Sequence, residues 1–224
     1  MNQKAVVIVS GGIDSSTLLF KTVNENYETY ALTFIYGQKH WKEIESAKLI
    51  CEHLRVSHKI LDLSVLKEIF TGSALTDSGV AIPEVPADVS HYDTLKATIV
   101  PNRNSIFLSV AIGYAVSTGA NRIFFGAHHS DRGIYPDCRP EFVEAFEAAE
   151  RLATDSPDLI VDAPFAHMDK SDIVRLGSKL GVPYQKTWSC YRGDELHCGV
   201  CSSCRERKRG FTQSGVSDPT DYER

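Results

Sequence analysis

Residues 5–16 read AVVIVSGGIDSS, five apolar residues followed by a loop that contains two glycines. The apolar run predicts a buried strand, and a helix is expected to begin near Asp14. Glycine lets a backbone approach a ligand closely, and the first-turn N–H groups of a helix attract an anion. Ser10, Ser15 and Ser16 add hydroxyl donors. We therefore predict a phosphate-binding loop; the alternative is a tight turn in which Asp14 or Ser15 merely caps the helix.

Short β-branched runs alternate with amphipathic segments along the rest of the chain. Strands are predicted over residues 4–9, 29–35, 58–63, 122–126 and 159–162, and helices over residues 14–24, 41–54, 104–118, 140–153 and 169–180. This alternation implies right-handed crossovers between parallel strands. The predicted fold class is therefore α/β, a doubly wound parallel sheet with helices on both faces. The helix over residues 104–118 has so few polar residues that we expect it to be buried between other elements.

The composition excludes several classes of protein. The chain has 224 residues, 42% of them hydrophobic, and a net charge of −5. This is ordinary globular composition, and the acidic balance argues against a nucleic-acid partner. No apolar stretch reaches the ~20 residues of a membrane span, and the first one is too short for a signal peptide. We expect a cytoplasmic protein with no membrane partner.

Four of the six cysteines lie close together near the carboxyl end. The spacing Cys190-x7-Cys198-x2-Cys201-x2-Cys204 is typical of a structural tetrahedral zinc site, with an iron–sulfur cluster as the main alternative. We therefore add a small C-terminal zinc knuckle to the fold. Cys51 lies on an apolar helical stripe and is expected in the core. The basic run at residues 205–209 is expected to be the solvated face of a terminal helix.

The chain divides into two predicted parts. Residues 1–187 form the nucleotide-binding α/β domain, and residues 188–224 form the zinc-binding segment. Within the first part, residues 71–98 contain glycines and prolines without any hydrophobic period. A connection of this length is uncommon in a compact domain unless it has a function. We predict that it is a lid over the ligand.

Polar side chains follow the predicted strands, where ligands bind in open α/β sheets. Arg103 begins a helix, which is unfavourable unless an anion is near. Asp137 lies in a dense polar turn, and its carboxylate is able to accept two parallel N–H donors from a purine. The neighbouring Cys138 is interpreted as a buried thiol rather than a nucleophile. The candidate substrate-binding residues are His40, Asp131 and Asp137.

The motifs together resemble the 7-cyano-7-deazaguanine synthases, nitrile-forming enzymes of the queuosine pathway within the PP-loop superfamily of N-type ATP pyrophosphatases. The resemblance spans residues 5 to about 210 and rests on SGGIDSS, YGQKH, VPNRN, YPDCRPEF, the Asp169-Lys170 pair and WSCYRG…CGVCSSC. It implies an adenine-nucleotide α-hydrolase-like fold and zinc on the four clustered cysteines. Asn102 stands where this family usually has glycine, and asparagine tolerates the left-handed backbone that such a turn needs.

The resemblance also implies a reaction and its cofactors. The family converts 7-carboxy-7-deazaguanine, ammonia and ATP to 7-cyano-7-deazaguanine, and Asp14 would hold Mg²⁺ or orient phosphate. The expected route passes through an acyl-adenylate and an amide, with AMP or ADP as the nucleotide product. The candidate catalytic residues are Asp14, Ser15, Arg103 and Lys170. The candidate ATP-binding residues are Val9, Ser10, Gly11, Gly12, Ile13, Asp14, Ser15, Ser16, Thr17, Leu18 and Leu19.

Two other functions stay open at this point. A PP-loop tRNA-modifying ligase, of the thiolase or lysidine synthetase type, shares the loop but predicts a basic face or an extra RNA-binding domain. A non-catalytic nucleotide-binding or zinc-mediated interaction protein would bind ATP without turnover. The expected partners are small molecules, and a homodimer is also open.

Overall fold

A single parallel sheet organises the chain. The computed structural model describes residues 3–39, 41–85 and 95–224. The strands are β1 (Lys4–Ile8), β2 (Glu28–Ile35), β3 (Ser57–Asp62), β4 (Arg122–Phe124) and β5 (Ile160–Asp162). They pair in the order β3-β2-β1-β4-β5, and all four pairings are parallel. The chain winds outward from β1 to β3 and then returns to β4, so a topological switch point lies between β1 and β4.

Helices cover both faces of this sheet. They are α1 (Ile13–Asn24), α2 (Lys42–Leu54), α3 (Arg103–Thr118), α4 (Pro140–Ala153), α5 (Lys170–Leu180) and α6 (Ser202–Ser214). Val6 of β1 packs in the core cluster that contains α3 and α4 residues. Ala5 and Val7 point to the other face, where the core cluster takes side chains from α1, α2, α5 and α6. The predicted doubly wound α/β fold is confirmed.

Two expectations about helix burial are wrong. Helix α3 buries Phe107, Leu108 and Ala111 against the sheet, but Val116 on its other side is 48% exposed. The helix therefore covers one face and is not enclosed. In α6, Arg207 is only 1% exposed and does not belong to a solvated basic face. Its guanidinium donates to the Tyr184 carbonyl oxygen and to the hydroxyl groups of two residues just before Cys190.

The C-terminal segment packs against the phosphate loop and the predicted lid. The Trp188 N–H donates to the Gly11 carbonyl oxygen over 2.9 Å. The Val85 N–H donates to the Val200 carbonyl oxygen over 2.9 Å, so the described part of the 71–98 connection contacts the cysteine-containing segment. Among the helices of residues 3–39, 41–85 and 95–224, none is both long and apolar enough to cross a membrane.

Gly11 is required by a close backbone approach. Its φ is +88°, and a Cβ atom placed on it would lie 2.2 Å from the Glu43 carbonyl oxygen of α2. This glycine therefore lets the loop sit directly against a neighbouring helix. Gly72 also has a positive φ, +79°, but a Cβ atom there would meet nothing within 4 Å.

We expect Gly11→Ala to lower the free energy of unfolding by about 3 kcal/mol, because it adds an overpacking clash to a left-handed backbone cost. Gly72→Ala, the matched control, is expected to lose only about 1 kcal/mol from the backbone cost alone. Urea unfolding of the two variants measures both values. Equal losses would show that the approach of the loop to α2 has no energetic consequence.

Candidate active site

A large cavity lies beyond the carboxyl ends of the strands, as expected for an open α/β sheet. Its volume is about 930 Å³. One end is polar and is formed by the loop after β1 together with Lys170 and Glu206. The other end is lined by Tyr36, Phe107 and Tyr135, with Arg103 beside them. The lining therefore combines charged groups, called here the polar end, with aromatic groups, called here the aromatic end.

The loop after β1 presents the start of α1 to the cavity. The N-cap of α1 is Gly12, so neither Asp14 nor Ser15 is the cap and that alternative does not hold. The Ser15 hydroxyl oxygen instead accepts a hydrogen bond from the Ser10 N–H over 3.1 Å. Because no side chain caps the start of α1, its first-turn N–H groups and its dipole have the arrangement that anion sites use.

The predicted ATP-binding stretch divides into lining and supporting residues. The residues that line the cavity are Val9, Ser10, Gly12, Ile13, Asp14 and Ser15. Gly11 lies against α2 instead. The residues behind the loop are buried, and these are Ser16, Thr17, Leu18 and Leu19. Their side chains are therefore placed to support the loop.

A cluster of charged side chains forms the polar end. Lys170 Nζ lies 2.6 Å from Asp14 Oδ2 and 3.4 Å from Glu206 Oε2. Burial acts to raise the pKa of Asp14, but the charges of Lys170 and His128 and the hydrogen bond from Lys170 together hold that pKa below its usual value. Burial acts to lower the pKa of Lys170, whereas the carboxylates of Asp14 and Glu206 raise it above its usual value. The pair is thus ionised at neutral pH.

His128 joins the same cluster. Its Nε2 atom lies 3.5 Å from Asp131 Oδ2, 3.7 Å from Glu206 Oε1 and 4.0 Å from Asp14 Oδ2. The His128 N–H also donates to Asp131 Oδ2 over 3.0 Å. Burial raises the pKa of Asp131 above its usual value, despite the nearby histidine. Asp131, a predicted substrate-binding residue, is therefore a cavity-lining member of this cluster.

Two members of the cluster were missed in the sequence. His128, which follows β4, was not among the candidate site residues. Glu206 was hidden in a basic run and is the single acidic residue of Arg205-Glu206-Arg207-Lys208-Arg209. A single acidic residue among four cations was the signal in the sequence that could have drawn attention to Glu206. What it pairs with depends on the contact between α5 and α6, which a local pattern does not reveal.

The aromatic end contains Arg103 and its support. Asn102 has a φ of +55° and is the N-cap of α3, which confirms the predicted left-handed turn. The Arg103 guanidinium lies 5.8 Å from the centre of the Tyr36 ring. Burial acts to lower the pKa of Arg103, but the surrounding groups, Tyr36 first among them, raise it above its usual value. Arg103 therefore brings a permanent positive charge to an apolar wall.

The carboxylate of Asp137 makes hydrogen bonds within the fold. Asp137 Oδ2 accepts the Asn104 N–H over 3.0 Å, so this carboxylate holds the start of α3 and lies outside the residues that line the cavity. Its neighbour Cys138 is buried, as predicted, and burial raises the pKa of its thiol well above the usual value. Cys51 is also buried in the core. His40 lies outside the described residues.

The four clustered cysteines are arranged as a metal site. All four sulfur atoms lie within 4.8 Å of one another, and all four residues are buried. A tetrahedral zinc ion with Zn–S bonds of ~2.3 Å places its sulfur ligands about 3.8 Å apart, which this group satisfies after a small contraction. Backbone N–H groups of Arg192 and Cys198 donate to Cys190 Sγ, each over 3.4 Å, as suits a thiolate ligand. The donor set therefore fits a structural zinc ion.

Two solved synthetase structures share this fold. An NMN synthetase structure from Francisella tularensis matches 96% of this chain and 79% of its own, with a TM-score of 0.54 and 17% identity. A 4-thiouridine synthetase–RNA complex with bound ATP matches 95% of this chain and 50% of its own, with a TM-score of 0.52 and 19% identity. At these identities the likeness shows the fold alone.

Sequence relatives are more specific. The family model "Queuosine biosynthesis protein QueC" matches residues 4–215. A 7-cyano-7-deazaguanine synthase from Caldicellulosiruptor saccharolyticus is 49% identical over 98% of this chain and 96% of its own length. Another, from Psychromonas ingrahamii, is 46% identical over 100% of this chain and 99% of its own length. The chain therefore belongs to the QueC family of queuosine biosynthesis proteins.

Cys201→Ser is expected to lose the bound zinc, because the serine hydroxyl is a poor substitute for a thiolate ligand. Without the metal, the C-terminal segment loses a source of folding free energy, and the melting temperature falls. Metal analysis of the purified protein, alongside thermal unfolding, measures both effects. Cys51→Ala removes a buried cysteine outside the cluster and is expected to keep one zinc per chain. Full zinc occupancy in Cys201→Ser would refute the four-thiolate site.

Proposed function

We propose that this chain catalyses the ATP-dependent conversion of 7-carboxy-7-deazaguanine and ammonia to 7-cyano-7-deazaguanine. The observation that carries the proposal is the polar end of the cavity, where the start of α1, Lys170 and Asp14 converge beside an aromatic wall. Relatives with that name cover nearly all of the chain. The activity in those names is compatible with a cavity that has charged groups at one end and aromatic groups at the other.

The first step makes the substrate carboxylate reactive. A carboxylate is a poor acyl electrophile, so its oxygen attacks the α-phosphate of ATP and forms an acyl-adenylate while pyrophosphate leaves. The first-turn N–H groups of α1 and the Ser10 and Ser15 hydroxyl groups are placed to bind the leaving pyrophosphate. Lys170, in the same wall of the cavity, is placed to stabilise the charge that develops there.

Asp14 is the proposed ligand of a magnesium ion. Within the part of the chain that the structure describes, Asp14 Oδ1 is buried and has no hydrogen-bond partner, as a carboxylate oxygen awaiting a cation would be. A bound Mg²⁺ would neutralise negative charge on the phosphates. The other oxygen of Asp14 pairs with Lys170 and fixes the direction of the carboxylate.

The later steps replace oxygen by nitrogen. Ammonia displaces AMP and forms an amide. A second ATP then transfers a phosphoryl or adenylyl group to the amide oxygen. That oxygen leaves on the phosphate or AMP, the nitrogen loses its two protons, and the nitrile is formed. The acyl-adenylate hydrolyses if water reaches it, so the connection over residues 71–98 is proposed to close over the cavity as a lid. Leu75 and Leu95, which both belong to that connection, line the cavity.

The aromatic end is the proposed site of the flat deazaguanine ring. Tyr36 and Phe107 supply apolar area, and Arg103 supplies a cation that is placed to meet the substrate carboxylate. Asp131, at the polar end, and Asp137, beside α3, remain proposed substrate-binding residues together with His40. This arrangement directs the reacting carboxylate toward the phosphates.

The rest of the proposal concerns the whole molecule. Residues 1–187 are the proposed nucleotide-binding domain, and residues 188–224 are the proposed zinc-binding segment. We place the enzyme in the cytoplasm, with small molecules as its partners and without nucleic acid or membrane. A homodimer is compatible with this function. The tRNA-modifying ligase is less favoured, because the net charge of −5 gives little support to an RNA backbone.

The activity is tested by mass spectrometry after incubation with ATP, Mg²⁺, ammonium and 7-carboxy-7-deazaguanine. We expect 7-cyano-7-deazaguanine to appear, with the amide detected when turnover is stopped early. A reaction with [¹⁵N]ammonium should place the label in the nitrile. ATP binding without any nitrogen-containing product would contradict the proposal.

Asp14→Asn is expected to lower kcat/KM about 100-fold or more, because the amide neither binds the cation nor pairs with Lys170 as a carboxylate does. The side chain keeps its size, so the fold should persist. Steady-state product formation and thermal unfolding are measured together. The exposed Asp221→Asn controls for loss of one acidic charge. Activity of Asp14→Asn within twofold of the unsubstituted enzyme would remove Asp14 from the mechanism.

A further inference from the structure

Helix α6 joins the cysteine cluster to the polar end of the cavity. Cys201 is its N-cap, and Cys204 lies in its first turn. Glu206, two residues further on, places Oε2 at 3.4 Å from Lys170 Nζ and Oε1 at 3.7 Å from His128 Nε2. The carboxylate of Glu206 is thus shared between a lysine from α5 and a histidine that follows β4.

The position of α6 leaves Glu206 little freedom. Arg207 is buried and its guanidinium donates hydrogen bonds to residues 184–189. On the next turn, Gly210 lies so close to α5 that an added Cβ atom would be 2.5 Å from Lys170 Cγ. A glycine is therefore needed where the lysine stem crosses the helix. Gly210 of α6 therefore packs against the methylene stem of Lys170, and Glu206 of α6 contacts its ammonium group.

We propose that Glu206 is a positioning residue for Lys170. Lysine has a long flexible stem and a compact charge, so a single carboxylate fixes it poorly. Asp14 alone would draw the ammonium group into a simple ion pair, whereas Glu206 gives it a second anchor at the cavity wall. The proposal rests on the function proposed above, in which Lys170 stabilises charge on the departing phosphates.

The negative charge of Glu206 argues against a role for this residue in binding ATP. A carboxylate near a polyphosphate repels it, so Glu206 weakens the binding of the nucleotide. Its benefit must then appear after binding, in the geometry of the charge that meets the transition state. Loss of the carboxylate should therefore lower kcat without raising KM for ATP, whereas damage to the fold would lower stability and raise KM.

The test compares Glu206→Gln with the unsubstituted enzyme in nitrile formation. We expect kcat to fall about tenfold or more, with KM for ATP unchanged or lower, zinc content unchanged and the melting temperature retained. Gln213→Ala, an exposed position on the same helix, is the matched control and should keep full activity. A kcat within twofold of the unsubstituted value, or a rise in KM at constant kcat, would overturn the proposal.

Glu206→Asp provides the second variant. It keeps the charge but withdraws the carboxylate by one methylene group, so we expect kcat between the values of the glutamate and glutamine enzymes. If Glu206→Gln does not fold, this variant decides the question, and an unchanged kcat would overturn the proposal. Failure of the unsubstituted enzyme to form the nitrile would instead refute the proposed function, which keeps the two conclusions separate.

Discussion

The ion pair between Lys170 and Asp14 is the interaction on which the site depends. It joins residues 156 positions apart in the sequence, from the first turns of α1 and α5. Burying such charges is costly unless they are paired with good geometry, so the pair requires the two helix starts to meet at one place. That place is the carboxyl edge of the sheet, beside the switch point between β1 and β4. The order of the strands thus brings the two charged residues together, and these residues form part of the polar end of the cavity.

The C-terminal segment supports the ion pair and the loop after β1 through several contacts. Trp188 bonds to the phosphate loop, Arg207 bonds to the turn after α5, and Glu206 reaches the Lys170 ammonium. These contacts start within a short stretch around four buried cysteines whose sulfur atoms lie within 4.8 Å of one another. A metal-bound cluster is compact and rigid, and it needs few residues to be stable. This part of the chain therefore supports the polar end of the cavity, and a metal ion on the four cysteines would stiffen that support.

The sequence predicted what is local and missed what is long-range. The apolar run before Ser10, the regular alternation of elements and the cysteine spacing were enough to predict the doubly wound sheet, the loop that leads into α1 and the cluster of four thiols. Local pattern did not reveal that Arg207 is buried or that Glu206 meets Lys170, because both depend on α6 packing against α5. Helix α3 was expected to be enclosed because it has few polar residues. A high apolar content indicates that a helix is buried, but it does not indicate whether one face or both faces are covered. His128 was missed for the same reason, because two of the three carboxylates near it belong to α1 and α6.

We propose that the loop after β1 binds the polyphosphate of ATP so that a carboxylic acid becomes reactive. The most direct measurement is a crystal structure of the protein with a non-hydrolysable ATP analogue and Mg²⁺. We expect the phosphates within hydrogen-bond distance of the N–H groups of residues 12–15, with Lys170 Nζ beside them and the metal ion on Asp14. A triphosphate bound elsewhere, with this loop empty, would contradict the proposed role of the loop.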